Sequence, residues 1–220
     1  MRNATQVTVA VFGTLAALAG IEHGIGEVLQ GNVAPAGLMI LSWPESEFFR
    51  IEAGEPAMTI VPNLLITGIL AIVASLAFLV WATLFAHRKR GGLVLLLLSI
   101  AMLLVGGGFG PPLLGIILSL AASRINAPLE WWRRHLPAGA RPFLAALWPW
   151  SLGAGLTAWL SLFPGLPIAS YYWGVGDERL VVAIIALAFG FLFVTILTGL
   201  ARDLPRRVEA HRPGCSRCAR

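Results

Sequence analysis

The chain has 220 residues, 57% of them hydrophobic and 12% charged, with a mean hydropathy of +0.80. A soluble domain carries roughly 25% charged residues, and several apolar runs here approach or exceed the ~18 residues that mark a bilayer-spanning helix, which excludes a soluble globular fold and predicts a polytopic α-helical membrane protein. The net charge of +5 comes from sixteen basic residues, fifteen of them Arg; they cluster beside the apolar runs, as in loops facing anionic lipid, so nucleic acid is not expected as a partner.

The first run, about Val7 to Leu29, is roughly 34 Å long as a helix and long enough to cross. Arg2, the apolar stretch and Ala17-Leu18-Ala19 imitate a signal peptide. The apolar pattern continues past that point to Leu29, so an uncleaved span is expected. Gly20 and Gly24 form a small-xxx-small notch for another helix.

Residues 30–58 form the longest connection. Val33 to Trp43 is apolar but too short to span, and predicts a short interfacial or re-entrant segment. Ser42-Trp43-Pro44-Glu45 resembles a helix start, predicting a helix from about Trp43 to Ile51 with Trp43, Phe48 and Phe49 at the interface. The segment carries Glu45, Glu47, Glu52 and Glu55 against one basic residue, Arg50.

Further spans are expected at about 62–86, 93–109, 112–126, 142–163 and 180–201. Pro62 suits a first helical position. His87-Arg88-Lys89-Arg90-Gly91-Gly92 is a basic turn. Gly106-Gly107-Gly108-Phe109-Gly110-Pro111-Pro112 is a helix stop followed by a helix start. The run Leu113 to Ala122 either continues the third span or stands alone. Sidedness arbitrates: six spans with both termini cytoplasmic put fourteen of the sixteen basic residues inside, leaving Arg50 and Arg179 outside. The cost is two thin spans of about 17 and 15 residues. Trp131, Trp132, Arg133 and Arg134 on the inner side form an interfacial anchor for anionic lipid. Trp148-Pro149-Trp150 predicts a kink in the fifth span. Tyr171-Tyr172-Trp173 forms an aromatic belt in the last outer loop. Residues 1–201 therefore read as one transmembrane domain and 202–220 as a basic cytoplasmic tail. The expected location is the cell (plasma or inner) membrane.

The chemistry concentrates in Glu22, His23 and Glu27. Acid and imidazole groups inside a span are costly and normally face a protein interior or a wet cavity. His23 and Glu27 are one helical turn apart and share a face, while Gly24 and Gly26 keep the surface beside them low. Asn63 and Thr67, one turn apart at the same depth of the second span, are the expected contributors from a second helix. Three readings stay open: a proton or cation site of a small coupled transporter, a metal site with His23 and Glu27 as ligands, and polar groups that only hold the fold. His211, Cys215 and Cys218 in the tail offer a second, incomplete metal corner, since structural zinc takes four ligands. No HExxH, GxSxG, P-loop or dinucleotide motif is present, so an enzyme is the lesser expectation, a metal-dependent one ranking third. No cofactor is specified, and haem b is disfavoured because His87, His135 and His211 fall at the opposite depth from His23. The rival class is a non-catalytic accessory subunit of a larger membrane complex. Expected partners are the bilayer and its anionic lipids, with other membrane subunits or a second copy as alternatives.

Overall fold

The computed structural model describes residues 3–127 and 129–210 and is mostly helical. Helix α1 (Ala4–Gln30) starts at Asn3, whose side chain accepts from the Gln6 amide while the Gln6 side chain accepts from the Asn3 amide. This reciprocal cap satisfies two amides that no helical turn can reach. A second anchor comes from far along the chain. The buried Asp203 carboxylate accepts from Ala4 N at 2.8 Å, Thr5 N at 2.9 Å and Thr5 Oγ1 at 2.6 Å. Asp203 lies on the last helix, so the beginning of α1 and the late part of the chain share one end of the molecule.

Helix α2 (Leu64–Val80), extended by a π-helical turn at Trp81–Phe85, runs antiparallel to α1. Small residues set the approach: a Cβ on Gly24 would sit 2.8 Å from the Gly68 carbonyl, one on Gly20 2.5 Å from Ser75 Oγ, and one on Gly13 2.6 Å from Ala82 Cβ. Between helices in lipid, close packing of this kind replaces the hydrophobic drive available in water. The Gly20/Gly24 notch is filled from within the chain.

Helices α3 (Gly91–Leu104) and α4 (Gly110–Ser123) double back on each other, with Gly92 against Ser119 and Ser123 and Gly115 against Ser99. The run 113–122 is thus a separate helix and not a continuation of the one before it. Each is 14 residues long, about 21 Å, against a hydrocarbon core of about 30 Å. The Asn126 side chain donates to the His87 carbonyl at 2.6 Å, tying the two basic loops together. Short helix α5 (Glu130–His135) leads to α6 (Ala140–Leu160), which runs through Pro149. The helical path breaks farther on, at Phe163 (φ −138°, ψ 119°), before α7 (Leu166–Trp173). Helix α8 (Glu178–Ala210) then packs antiparallel to α6, joined by Ser151 and Thr198 hydroxyls at 2.9 Å and by Trp159 Nε1 donating to the Ala188 carbonyl at 3.1 Å.

The 31–63 connection departs from expectation. No helix forms over Trp43–Ile51; strands β1 (Met39–Leu41) and β2 (Pro56–Met58) make an antiparallel hairpin, with one 3₁₀ turn at Arg50–Glu52. The reason is where Ser42 is needed. Its amide and that of Trp43 prolong the hairpin pairing to Glu55 and Gly54 carbonyls, and its hydroxyl is drawn into the interior instead of capping a helix. Trp43 stacks on buried Phe49 with ring centroids 5.1 Å apart, so these aromatics form the hairpin's own small core. The hairpin is fastened to the α3–α4 loop by Gly106 N donating to Met58 O at 2.9 Å and Ile60 N donating to Leu104 O at 3.0 Å. It is a lid over the end of the helices opposite the basic loops.

The core is apolar and helical, centred on Phe12, Phe78, Leu95, Met102, Leu118 and Leu192. Outward faces are apolar as well, for example Ile69, Val73, Leu76 and Val80 on α2, as a hydrocarbon solvent requires. Among the described residues, Ala4–Gln30, Leu64–Phe85, Ala140–Trp173 and Glu178–Leu204 are long and apolar enough to cross a membrane. The protein is a multi-pass membrane protein by that criterion.

Replacing Asp203 by Ala removes a carboxylate that serves two helix-end amides and a hydroxyl. Hydrogen bonds to charged groups contribute about 1.5–3 kcal/mol each at most, so D203A is expected to lower the thermal unfolding midpoint of the detergent-purified protein by several degrees. An unchanged midpoint would show that α1 is anchored by its own cap alone.

Candidate functional site

The site forms where the lid meets α1. Helical periodicity puts His23 and Glu27 on one face, and both are buried, Glu27 completely. From above, the hairpin supplies Ser42, Glu52 and Glu55. His23 Nδ1 lies 3.0 Å from Ser42 Oγ and 3.4 Å from Glu55 Oε2. Ser42 Oγ also reaches Glu27, donating to Oε1 at 3.4 Å. Gln30 Nε2 donates to the carbonyls of Leu41 and Ser42 at 3.0 Å, which fixes the strand end that carries Ser42. Glu22 lies against Glu55 and the Trp43 indole, and Glu52 against Glu55. One donor atom each from Glu22, His23 and Glu55 falls within 4.8 Å of the others.

The α3–α4 loop closes the site from the side. Gly106 (φ 91°) and Gly108 (φ 76°) both adopt left-handed backbone, which glycine reaches without steric cost. Both also lack room for a side chain. A Cβ on Gly106 would collide with the Glu27 carboxyl and the Thr67 methyl, and one on Gly108 with the His23 ring. The Gly-rich stop signal therefore brings bare backbone onto the two buried polar side chains of α1.

Glu22, His23 and Glu27 stand together in this cluster. Thr67 is adjacent through Gly106, its hydroxyl 2.9 Å from that of Thr59. Asn63 is elsewhere: it caps α2 by accepting from Ile66 N at 3.1 Å and donates to Asn32. Sequence reasoning did not include Ser42, Glu52, Glu55, Gly106 or Gly108 in the site. The acid excess of residues 30–58 is the available signal for the two glutamates. At the opposite end, Trp131, Trp132, Arg133 and Arg134 fall on α5, where Arg133 and Arg134 are exposed and Trp132 is half-buried; Arg134 is 3.9 Å from Glu130, and Arg141 donates to the Arg133 carbonyl at 2.6 Å. His211, Cys215 and Cys218 lie outside the described residues.

Electrostatics are one-sided. Among the described residues no Lys or Arg pairs with Glu22, Glu27, Glu52 or Glu55, and the ion pair of the cluster is His23 with Glu55. Both oxygens of Glu22 and Oε2 of Glu27, Glu52 and Glu55 are buried without a hydrogen-bond partner. Burial pushes Glu52 up to about 7. Burial, reinforced by contact with the Glu22 and Glu52 carboxyls, pushes Glu55 up to about 12. Buried carboxyls short of counter-charge keep a proton or take a cation.

Beside the cluster lies a cavity of about 490 Å³ between α1, α4 and the α6–α8 pair. His23, Glu52 and Glu55 form one end of it; Leu15, Leu18, Leu114, Trp159, Leu160 and Ile185 line the rest. No family model, curated protein or solved structure matches the chain.

Glu52 and Glu55 bind protons more tightly folded than unfolded, where the usual value is 4.5. The native state then holds more protons than the unfolded state above that value, so stability falls as pH rises. In cation-free buffer the unfolding midpoint is expected to drop from about pH 5 to about pH 8, with the Glu52 share complete once pH has passed its folded value of about 7. Glu52→Gln should flatten the drop below neutrality. A midpoint that is level or rises over that range contradicts the assignment.

Proposed function

We propose that the chain is a six-pass protein with both termini cytoplasmic, and that its lid-covered cluster binds and releases a cation in a transporter-type role. The topology is supported by Asp203, which holds the start of α1 at the end where α8 finishes its passage, as an even number of passes demands. It is supported also by the hairpin of α3 and α4, and by charge: Arg88, Lys89, Arg90 and Arg124 in loops, Arg133 and Arg134 on α5 and Arg141 in the first turn of α6 cluster in the segments that join the long helices at that end. The two short helices leave their connecting glycines below the opposite surface, at the depth of His23 and Glu27.

One observation carries the functional reading. Glu22, His23 and Glu55 bring three donor atoms within 4.8 Å of one another, with Glu27 and Glu52 beside them and, among the described residues, no Lys or Arg paired with the set. A proton shared among carboxyls and imidazole satisfies this arrangement. A divalent metal satisfies it too: imidazole with carboxylates suits zinc or manganese, and three protein donors leave a position open for water or substrate. Glu22, His23 and Glu55 would hold the ion. A bound ion of this kind would supply positive charge to polarise whatever ligand reached its open position.

The test is cation binding and flux in the same preparation. Calorimetric titration of the purified protein with Zn²⁺ or Mn²⁺ is expected to give one site, weakened at least about tenfold by Glu55→Gln. Reconstituted vesicles should show cation or proton flux that Glu27→Gln abolishes while the protein still folds. Neither binding nor flux in the wild type, or both unchanged in the variants, removes the reading.

A further inference from the structure

We propose that the cation taken by this site is organic: an amphipathic cation whose charged centre meets Glu52 and Glu55 and whose apolar body fills the cavity between α1, α4 and the α6–α8 pair. This rests on the cation-binding reading of the cluster and names its substrate class.

The cavity argues for it by size and lining. An inorganic ion needs a few ångströms of donor atoms, and the space here is about 490 Å³, within the range of about 300–1,000 Å³ that holds drug-sized molecules. Below the acids the wall is hydrocarbon: Leu15 and Leu18 from α1, Leu114 from α4, Leu160 from α6 and Ile185 from α8. Such a wall gives nothing to a hydrated ion. It gives an apolar body about 25 cal/mol for each Å² removed from water.

The polar end selects the charge. Glu55 is only 7% exposed and lines the cavity; its Oε2 lies 3.4 Å from His23 Nδ1 but makes no hydrogen bond, and Glu52 Oε2 beside it makes none either. Two carboxyl groups facing one chamber, with no Lys or Arg pairing with them among the described residues, can give up a proton in exchange for a cationic head group and offer an anionic one no counter-charge. Phe109 and Trp159 also line the chamber and offer aromatic faces to a cation.

The rim shows the way in. Leu18 is 49% exposed, Leu160 44%, Phe109 41% and Ile185 39%. These residues sit along the membrane-crossing part of the molecule, so the cavity opens sideways toward lipid while the lid covers it above. Amphipathic cations concentrate at the lipid headgroup level, and from there this opening is the direct route to the acids.

Tetraphenylphosphonium and tetraphenylborate make the test, because they share shape and oppose in charge. With the full-length protein in phosphatidylcholine nanodiscs, equilibrium dialysis is expected to show one saturable site for the phosphonium and none for the borate. Affinity should fall at least about tenfold in the Glu52→Gln/Glu55→Gln double variant. It should fall equally in Leu18→Trp, a rim substitution that blocks the cavity without touching the acids and should leave Zn²⁺ or Mn²⁺ binding intact. Equal binding of the borate, or phosphonium binding that survives both variants, overturns the proposal and leaves an apolar crevice filled by lipid. Metal binding in the wild type without phosphonium binding overturns this inference alone; absence of both removes the cation site as well.

Discussion

Everything in this molecule is arranged around the hydration that α1 cannot provide for its own acid and imidazole groups. Acid and imidazole groups such as Glu22, His23 and Glu27 on a membrane-crossing helix cost several kcal/mol each when left bare. The protein answers with a second layer of polar chain. Ser42 descends from the lid and stands between His23 and Glu27, serving both with one hydroxyl. Thr67 and Thr59 add a hydroxyl pair beside Gly106. What is unusual is that the answer is incomplete: the lid also brings in Glu52 and Glu55, two further carboxyl groups that must themselves hold a proton or meet a cation. Polar groups recruited only to satisfy a helix would be donors. Additional acids make sense when the missing donor is a ligand.

The lid and the α3–α4 hairpin depend on each other for the same reason. Strand β2 ends against the turn that follows α3, through Ile60 to Leu104 and Gly106 to Met58. That turn can lie there only because Gly106 and Gly108 present backbone without side chains to Glu27 and His23. At 14 residues each, α3 and α4 are shorter than a bilayer-crossing helix, and the turn between them lies directly against Glu27 and His23.

The membrane class, the helix positions and the polar cluster on α1 were legible in the sequence because each rests on local pattern. Apolar runs mark helices whatever packs on them, and the helical repeat alone puts His23 and Glu27 on one face. The run after Gly110 could be separated from its predecessor by charge sidedness, and the chain does double back there. The lid was not legible. Ser42-Trp43-Pro44-Glu45 has the local chemistry of a helix cap, and only pairing with residues 54–58, a tertiary event, turns Ser42 inward. Asn63 shows the converse. It lies at the right depth on the right helix, yet the free amide of Ile66 claims its side chain for a cap. Depth and spacing locate a residue along an element but do not say which neighbour competes for it.

That distinction explains why the cavity, the feature that most narrows the chemistry, had no counterpart in the sequence. Its walls come from four helices, and apart from His23 the residues they contribute read as ordinary apolar membrane-helix residues such as Leu15, Leu18, Leu114 and Ile185. What makes them a chamber is the separation between two subassemblies. One is α1 to α4, drawn tight by glycine contacts such as Gly24 with Gly68; the other is α6 with α8, closed by Ser151 with Thr198 and Trp159 with Ala188. The halves meet firmly at the basic end, where Trp148 Nε1 donates to Thr8 Oγ1 at 3.1 Å and Asp203 grips Ala4 and Thr5. At the acidic end the lid touches α7, where the rings of Phe48 and Tyr171 lie 6.0 Å apart, and it is toward this end that the acids and the apolar chamber lie.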